Sequence, residues 1–347
     1  MEDENNTMQC TLFEEQGKCT AVVAVKKSMA SFSLVGCVFM MLIIWIFAKY
    51  KVFVQRLILY LTIAAFFSSI GHLMAAVKPE SPVCSFEAFW LTFSDWAVLL
   101  WVLIITINLF MNAVYMKETE KYEVIYSVIA WGFSLFMACL PFIGDNYGPA
   151  GAWCWIQEGS DVWRFVIWYI PLFITIGVLF VLYLMIIYKV NRQDGRWVGS
   201  YNPDNERQRQ ILKEYIRPLK AYPLIFLLLS IFPLINRMQN AFSKSGDPVF
   251  ALSLLHAASS PLQGFVNAVV YGMDPETRSR LTWLQIKVAL MKKTSETVIN
   301  EYKVESNKQP AEKEDGSPSP SIDENFQENP DVAFSEENNI SGDAVTC

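Results

Sequence analysis

The sequence predicts an all-α integral membrane protein, a seven-transmembrane-helix bundle, and three observations carry that prediction. Seven nearly uncharged stretches between Met29 and Gly272 are each long enough to cross a hydrocarbon core, which takes about 20 apolar residues in helical form. Hydrophobic residues make up 53% of the 347 and aromatics 14%, with a positive mean hydropathy, too apolar for a soluble domain of this length. Lys and Arg fall unevenly between alternate loops, as they do in chains that retain positive charge on the cytoplasmic side. The net charge of -6 hides that separation, because the acids collect at both ends.

Residues 1–28 read as a short extracellular tail, polar and acidic at first, with no signal peptide before it. Its Asn5-Asn6-Thr7 is a glycosylation acceptor pattern. The spans are placed at 29–48, 57–77, 88–116, 124–143, 165–188, 221–243 and 248–272. An odd count puts the two ends on opposite sides. With the N-terminus outside, the inner loops and the segment after the last span hold eighteen basic residues, including Arg56, Lys121, Arg207, Arg209, Lys213 and Lys293. The outer side holds six: Lys18, Lys26, Lys27, Lys78, Arg164 and Lys244. The expected location is the plasma membrane, multi-pass, with a cytoplasmic C-terminus.

The third inner loop, 191–216, opens with a turn region and continues as a charged, helix-compatible stretch into span six. Asp274-Pro275 marks a turn after span seven. Residues 273–293 mix Leu281, Leu284, Val288 and Met291 with Arg280, Lys287 and Lys292, as an amphipathic helix on the membrane surface does. Residues 294–347 are rich in Glu, Asp, Ser, Asn and Pro, and are expected to form a disordered acidic cytoplasmic tail. Ser317-Pro318 and Ser319-Pro320 there suit proline-directed phosphorylation at Ser317 and Ser319, which would deepen an acidic segment for a basic, arrestin-like partner.

Cys84 and Cys154 both face the oxidising side, one at the head of span three and one in the second outer loop. A bridge between them would pin that loop over the bundle. Cys10 and Cys19 could form a second one. Cys37 and Cys139 lie within spans and read as small apolar residues. Pro171, Pro223, Pro233 and Pro261 interrupt apolar helices, each removing a backbone hydrogen bond. Two of them in span six, beside a long basic inner loop, favour a helix that swings.

Ionisable groups inside a bilayer are costly and therefore point to function. Asp95 lies eleven residues past Cys84, roughly 16 Å along span three. Arg237, His72 and His256 sit in the outer parts of spans six, two and seven. Together these four either line an extracellular cavity for a polar or ionised ligand or form an internal polar network that fixes packing. At the other end, Asn108, Asn112 and Tyr115 recur on one side of span three and, with Arg207, Arg209 and Lys213 of the third inner loop, offer a receiving surface for a cytoplasmic partner. Asn267 and Tyr271 close span seven in a similar way.

Trp153-Cys154-Trp155-Ile156, Trp101, Asn236-Arg237, Leu255-His256 and Gly264-Phe265 resemble the motifs of the cyclic-AMP-receptor-like G-protein-coupled receptors first known from slime moulds. Gln263-Gly264-Phe265 with Ala268 and Tyr271 is also similar to the last span of secretin-like receptors. The resemblance covers about residues 29–275. It implies a receptor whose small extracellular agonist binds among the outer helix ends, with Trp155 and Asn236 joining the ligand-contact candidates, and whose inner face opens to a heterotrimeric G protein as span six moves. Asp95 stands where that family more often has a small neutral residue, and its negative charge disfavours a cyclic phosphate unless Arg237 compensates. Neither an Asp-Arg-Tyr triplet nor an Asn-Pro-x-x-Tyr motif is present, which argues against the rhodopsin-like class.

Other classes fit less well. Residues 248–272 hold no lysine for a retinal Schiff base, and two histidines in the whole chain are too few for a seven-span zinc hydrolase. No enzyme activity, metal, cofactor or nucleic-acid partner is expected; the surroundings are membrane lipid. The alternative is a seven-span transporter or channel without G-protein coupling, against which the apolar Leu99, Leu100 and Leu103 lie between the two polar ends, and no internal repeat is visible.

Overall fold

The computed structural model describes residues 13, 15–74, 82–115, 117, 119–157, 159–196, 219–242 and 249–306. The chain divides into Met1–Ser295 and Glu296–Cys347; of the second unit, residues 296–306 are described and are helical. Asn5, Cys10, Arg207, Arg209, Lys213, Ser317 and Ser319 lie outside the described residues.

Six helical stretches among the described residues are long and apolar enough to cross a membrane. They fall on α1 (Gln16–Ile46), α2 (Phe53–Met74), α3 (Pro82–Tyr115), α4 (Glu123–Cys139), α5 (Ile170–Arg196) and α6 (Ala221–Phe242). The seventh expected span is present as two shorter helices, α7 (Phe250–Ser259) and α8 (Gln263–Met273), joined by a 3-10 turn at Ser260–Leu262. Pro261 causes the break, since it supplies no N–H and its ring crowds the carbonyl four residues back. Two further helices follow, the short α9 (Pro275–Arg280) and the longer α10 (Trp283–Ser306). The Asp274 side chain accepts from the Thr277 N–H at 3.2 Å and caps α9, with Pro275 in the first turn. The helix expected over 273–293 is thus interrupted at Leu281–Thr282, and its second part runs on to Ser306.

The remaining prolines find three different solutions. Pro223 falls in the first turn of α6, where its missing donor costs nothing, and Pro233 lies inside that helix. Pro171 opens α5 directly after a π-helical turn at Phe165–Tyr169, whose wider ring accommodates the absent N–H.

α3 is the central helix. In its most apolar window 72% of residues are buried, against 11% for the Asp161–Lys189 stretch. Trp101 is fully enclosed, stacked on Tyr60 with ring centroids 4.8 Å apart and edge-on to Trp131 at 6.1 Å. The outer faces of α4 and α5 expose Val128, Phe136, Phe180 and Val181, an apolar belt that suits lipid and not water.

α1 and α8 cross at two glycines. A Cβ on Gly36 would stand 3.0 Å from the Phe265 Cα, and one on Gly264 would stand 2.4 Å from the Cys37 Sγ. Small residues at such crossings let two backbones approach.

The loop between α4 and α5 departs from the all-helical expectation. It holds a hairpin of β1 (Tyr147–Pro149) and β2 (Cys154–Ile156), antiparallel, with Tyr147 opposite Ile156 and Pro149 opposite Cys154. The turn closes through Ala150 N–H to the Trp153 carbonyl at 2.9 Å, with Gly151 at φ 86°, a left-handed value that favours glycine. The expected bridge forms between Cys84, near the start of α3, and Cys154 in β2. The Arg164 guanidinium donates to the Ile156 carbonyl at 2.8 Å, and the Tyr147 hydroxyl donates to the Ala138 carbonyl at 2.8 Å. Burial pushes the Tyr147 phenol above its ordinary pKa.

α1 begins thirteen residues before the span assigned to it. Its first turns have their own small core, where Cys19, Val22 and Val23 pack with Ala152 of the hairpin tip and Ala257 of α7. Cys19 is disulfide-bonded.

Replacing Gly36 by Val is expected to force α1 from α8 and to cost about 1–3 kcal/mol, the usual range for overpacking. Gly132, which has open space around its α-carbon, serves as the control: Gly132→Val should leave the unfolding temperature in detergent nearly unchanged.

Candidate functional site

At the hairpin end of the bundle, α1, α2, α3, α5, α6, α7 and the hairpin enclose a cavity of about 120 Å³. One water needs about 10–15 Å³ of such space, so the cavity has room for several waters or a small ligand. Its apolar wall includes Trp153, Trp155, Trp168, Leu172 and Phe226, and its polar lining includes Lys26, His72, Asp95, Arg237, His256 and Gln263.

The hairpin places the two tryptophans over two cations. Lys26 Nζ sits 4.0 Å from the Trp153 ring centre, and the Arg237 guanidinium sits 4.4 Å from that of Trp155 and 5.9 Å from that of Trp153. Face-on cations are attracted by the ring quadrupole, and more so where water is excluded. His256 meets Trp153 edge-on at 5.7 Å. Its Nδ1 lies 2.9 Å from the Asn236 amide nitrogen, which can only donate, so the histidine accepts there.

Asp95 accepts from the Ser68 hydroxyl at 2.7 Å. Among the described residues no ion pair joins it to Arg237, so the internal-network alternative is not realised as that contact. His72 is buried with neither ring nitrogen hydrogen-bonded, although it lines the cavity. Of the six sequence-derived ligand candidates, Asp95, Arg237, His72, His256 and Trp155 line one cavity, while Asn236 stands behind His256.

Lys26 and Glu87 were missed. Lys26 falls in the expected extracellular tail, 1–28, yet it is 3% exposed inside α1 and lines the cavity. Glu87 is fully buried on α3 and interacts electrostatically with Lys26 without an ion-pair contact. A signal existed: Lys26 follows Val22 and Val23 at helical spacing, as a position on a buried face would.

The opposite end is held by different contacts. Arg56 at the head of α2 forks onto Glu123 at 2.7 Å through both Nε and a terminal nitrogen and reaches Glu120 at 2.8 Å; Tyr60 donates to Glu123 at 2.8 Å. Lys49 is buried and donates to the Thr277 hydroxyl at 2.9 Å, fastening the turn after α1 to α9. The Tyr271 hydroxyl donates to Gln55 at 3.0 Å. Lys293 of α10 donates to the Trp45 carbonyl at 2.6 Å and lies over the Trp45 ring. Asn108 and Asn112 are buried: Asn108 donates to the Thr119 hydroxyl, and Asn112 donates to the Asn108 carbonyl at 2.9 Å. Tyr115 is exposed and meets Phe110 edge-on. In this conformation the two asparagines fix the turn after α3 and offer no surface.

The family profile described as slime mold cyclic AMP receptor matches residues 14–325. Cyclic AMP receptor-like protein A of Dictyostelium discoideum is 27% identical over 248 residues, 71% of this chain and 62% of that protein. Cyclic AMP receptor 2 of the same organism is 24% identical over 247 residues, 69% of this chain and 63% of that one. Cyclic AMP receptor 1 is 25% identical over 189 residues, 54% of this chain and 46% of that one. The chain therefore spans less than two thirds of the length of these curated relatives.

Lys26 and Glu87 are both buried and interact electrostatically without an ion-pair contact, and removing one of two such charges is expected to cost more than removing both. Lys26→Met should lower stability by about 3–5 kcal/mol, and Lys26→Met with Glu87→Gln should recover most of that loss in chemical denaturation of the detergent-solubilised protein.

Proposed function

The chain belongs to the slime mold cyclic AMP receptor family, and on that premise we propose that it is a seven-span plasma-membrane receptor, not an enzyme, that activates a heterotrimeric G protein. A small extracellular ligand enters the cavity beneath the hairpin, and movement of α6 opens the inner face. The observation that supports this reading best is the cavity itself. It gathers Asp95, Arg237, His72 and His256 from four different helices around one space, under a loop held by Cys84–Cys154. Sites of this kind are concave, largely apolar and marked by a few convergent polar groups.

The broken helix α7–α8 supplies the seventh crossing, with the N-terminus outside and the C-terminus inside. The distribution of Lys and Arg favours that orientation. α10 lies along the inner membrane surface, which suits its exposed Leu284, Val288 and Met291 and its Lys287 and Lys292. α6 contributes Arg237 at the cavity and carries Pro233 inside its helical run, one place where it can bend. Arg207, Arg209 and Lys213 receive the G protein together with Asn108, Asn112 and Tyr115, the buried asparagines becoming available when Thr119 releases them. Phosphates at Ser317 and Ser319 would recruit an arrestin-like partner, and Asn5 is the glycosylation acceptor.

Nucleotide exchange on a panel of heterotrimeric G proteins tests the reading, in membranes carrying this protein or a variant with residues 191–216 replaced by a neutral linker. Exchange above background on one G protein, lost in the variant, is the expected result. No exchange on any of them from folded, surface-exposed protein overturns the coupling, and solute flux through the same preparation would put a transporter in its place.

A further inference from the structure

The charges around the cavity are of both signs, and the larger ones are not used up on one another. Among the described residues, Lys26, Arg237 and Asp95 form no ion-pair contact, although all three line the same space; Glu87, the carboxylate that interacts most strongly with Lys26, is not part of that lining. The two cations are held against ring faces, Lys26 on Trp153 and Arg237 on Trp155. Asp95 keeps a single hydroxyl donor, Ser68. His72 adds two buried ring nitrogens with no partner, a polar group that faces the cavity without a protein contact.

A purely anionic ligand would satisfy Lys26 and Arg237 and bring its charge beside Asp95. A purely cationic one would satisfy Asp95 and meet both cations. Either leaves a like-charge pair in a site shielded from water, where such contacts are strongly unfavourable. An occupant with both charges removes the conflict. The rest of the wall is aromatic, with Trp153, Trp155, Trp168 and Phe226 offering ring faces to an apolar body.

We infer that the cavity takes a small amphoteric ligand, an aromatic or apolar body carrying both an acid and an amine, with the acid between Lys26 and Arg237 and the amine at Asp95. This rests on the reading of the cavity as the ligand site. It also assigns Asp95 a role in discrimination: the carboxylate admits the amine-bearing molecule and turns away the same molecule without its amine.

Three compounds with one body and different charges provide the test: phenylalanine with both groups, phenethylamine with the amine alone and hydrocinnamate with the acid alone. Binding to the full chain in lipid nanodiscs is read from the rise in unfolding temperature with concentration, with cyclic AMP as a fourth probe. Phenylalanine should bind at least about tenfold more tightly than either single-charge compound, the size of one charge-assisted contact in a buried site. Asp95→Asn should bring phenylalanine and hydrocinnamate level. The comparison on the unaltered chain stands even where that variant does not fold. Hydrocinnamate equal to phenylalanine would make this an anion site, phenethylamine equal to it a cation site, and binding by none of the three would exclude the amphoteric class; each overturns the inference. Cyclic AMP binding alone would overturn it too and leave the receptor reading intact, whereas that reading fails separately if G-protein exchange is absent.

Discussion

The Cys84–Cys154 bridge is the constraint on which the cavity end depends. β2 is three residues long, and a two-stranded hairpin of that size does not hold its place in isolation. Fastened to the first turn of the most enclosed helix in the bundle, it becomes a rigid shelf. Trp153 and Trp155 flank the bridging cysteine, so both rings are positioned by that covalent link and by the Arg164 contact to Ile156. Lys26, Arg237 and His256 then have ring faces and edges to pack on, which makes a group of buried polar side chains tolerable between apolar helices.

The two ends of the bundle hold their arginines differently. At the end away from the hairpin, Arg56 is ion-paired with Glu123 and Glu120. Those contacts are short and directional, as expected of a group that fixes neighbouring elements. At the cavity end the cations rest on aromatic rings and the carboxylates stand apart from them. A ring face attracts a cation without neutralising it, so the charge remains available to a third party. The difference separates a fastening from a receptacle.

Much of this arrangement was legible in the sequence. Apolar stretches of about 20 residues identified the helices because lipid permits little else, and the positions of Asp95, Arg237, His72 and His256 were enough to bring them to one end. What escaped notice did so for one physical reason. Charge ordinarily marks the end of a span, which puts Lys26 before span one and Glu87 before span three, whereas both residues are buried within helices. The hairpin was hidden because a three-residue strand carries no periodicity, and its place is set by a distant cysteine. Asn108, Asn112 and Tyr115 recur at helical spacing, but spacing cannot tell the exposed Tyr115 from asparagines buried toward Thr119.

The 3-10 turn at Ser260–Leu262 divides the last apolar segment into two rods with separate allegiances. The upper rod, α7, answers to the hairpin and α6 through His256, while the lower rod, α8, is seated on α1 at Gly264 and on α2 through Tyr271. A continuous helix would transmit a push at its top as a translation of its whole length. With a joint in the cavity wall, where Ser260 and Pro261 are themselves exposed to the contents, the same push is expressed as a change of angle, and the seat on α1 can stay where it is. On the proposed reading, a ligand in the cavity acts on the angle between the two rods.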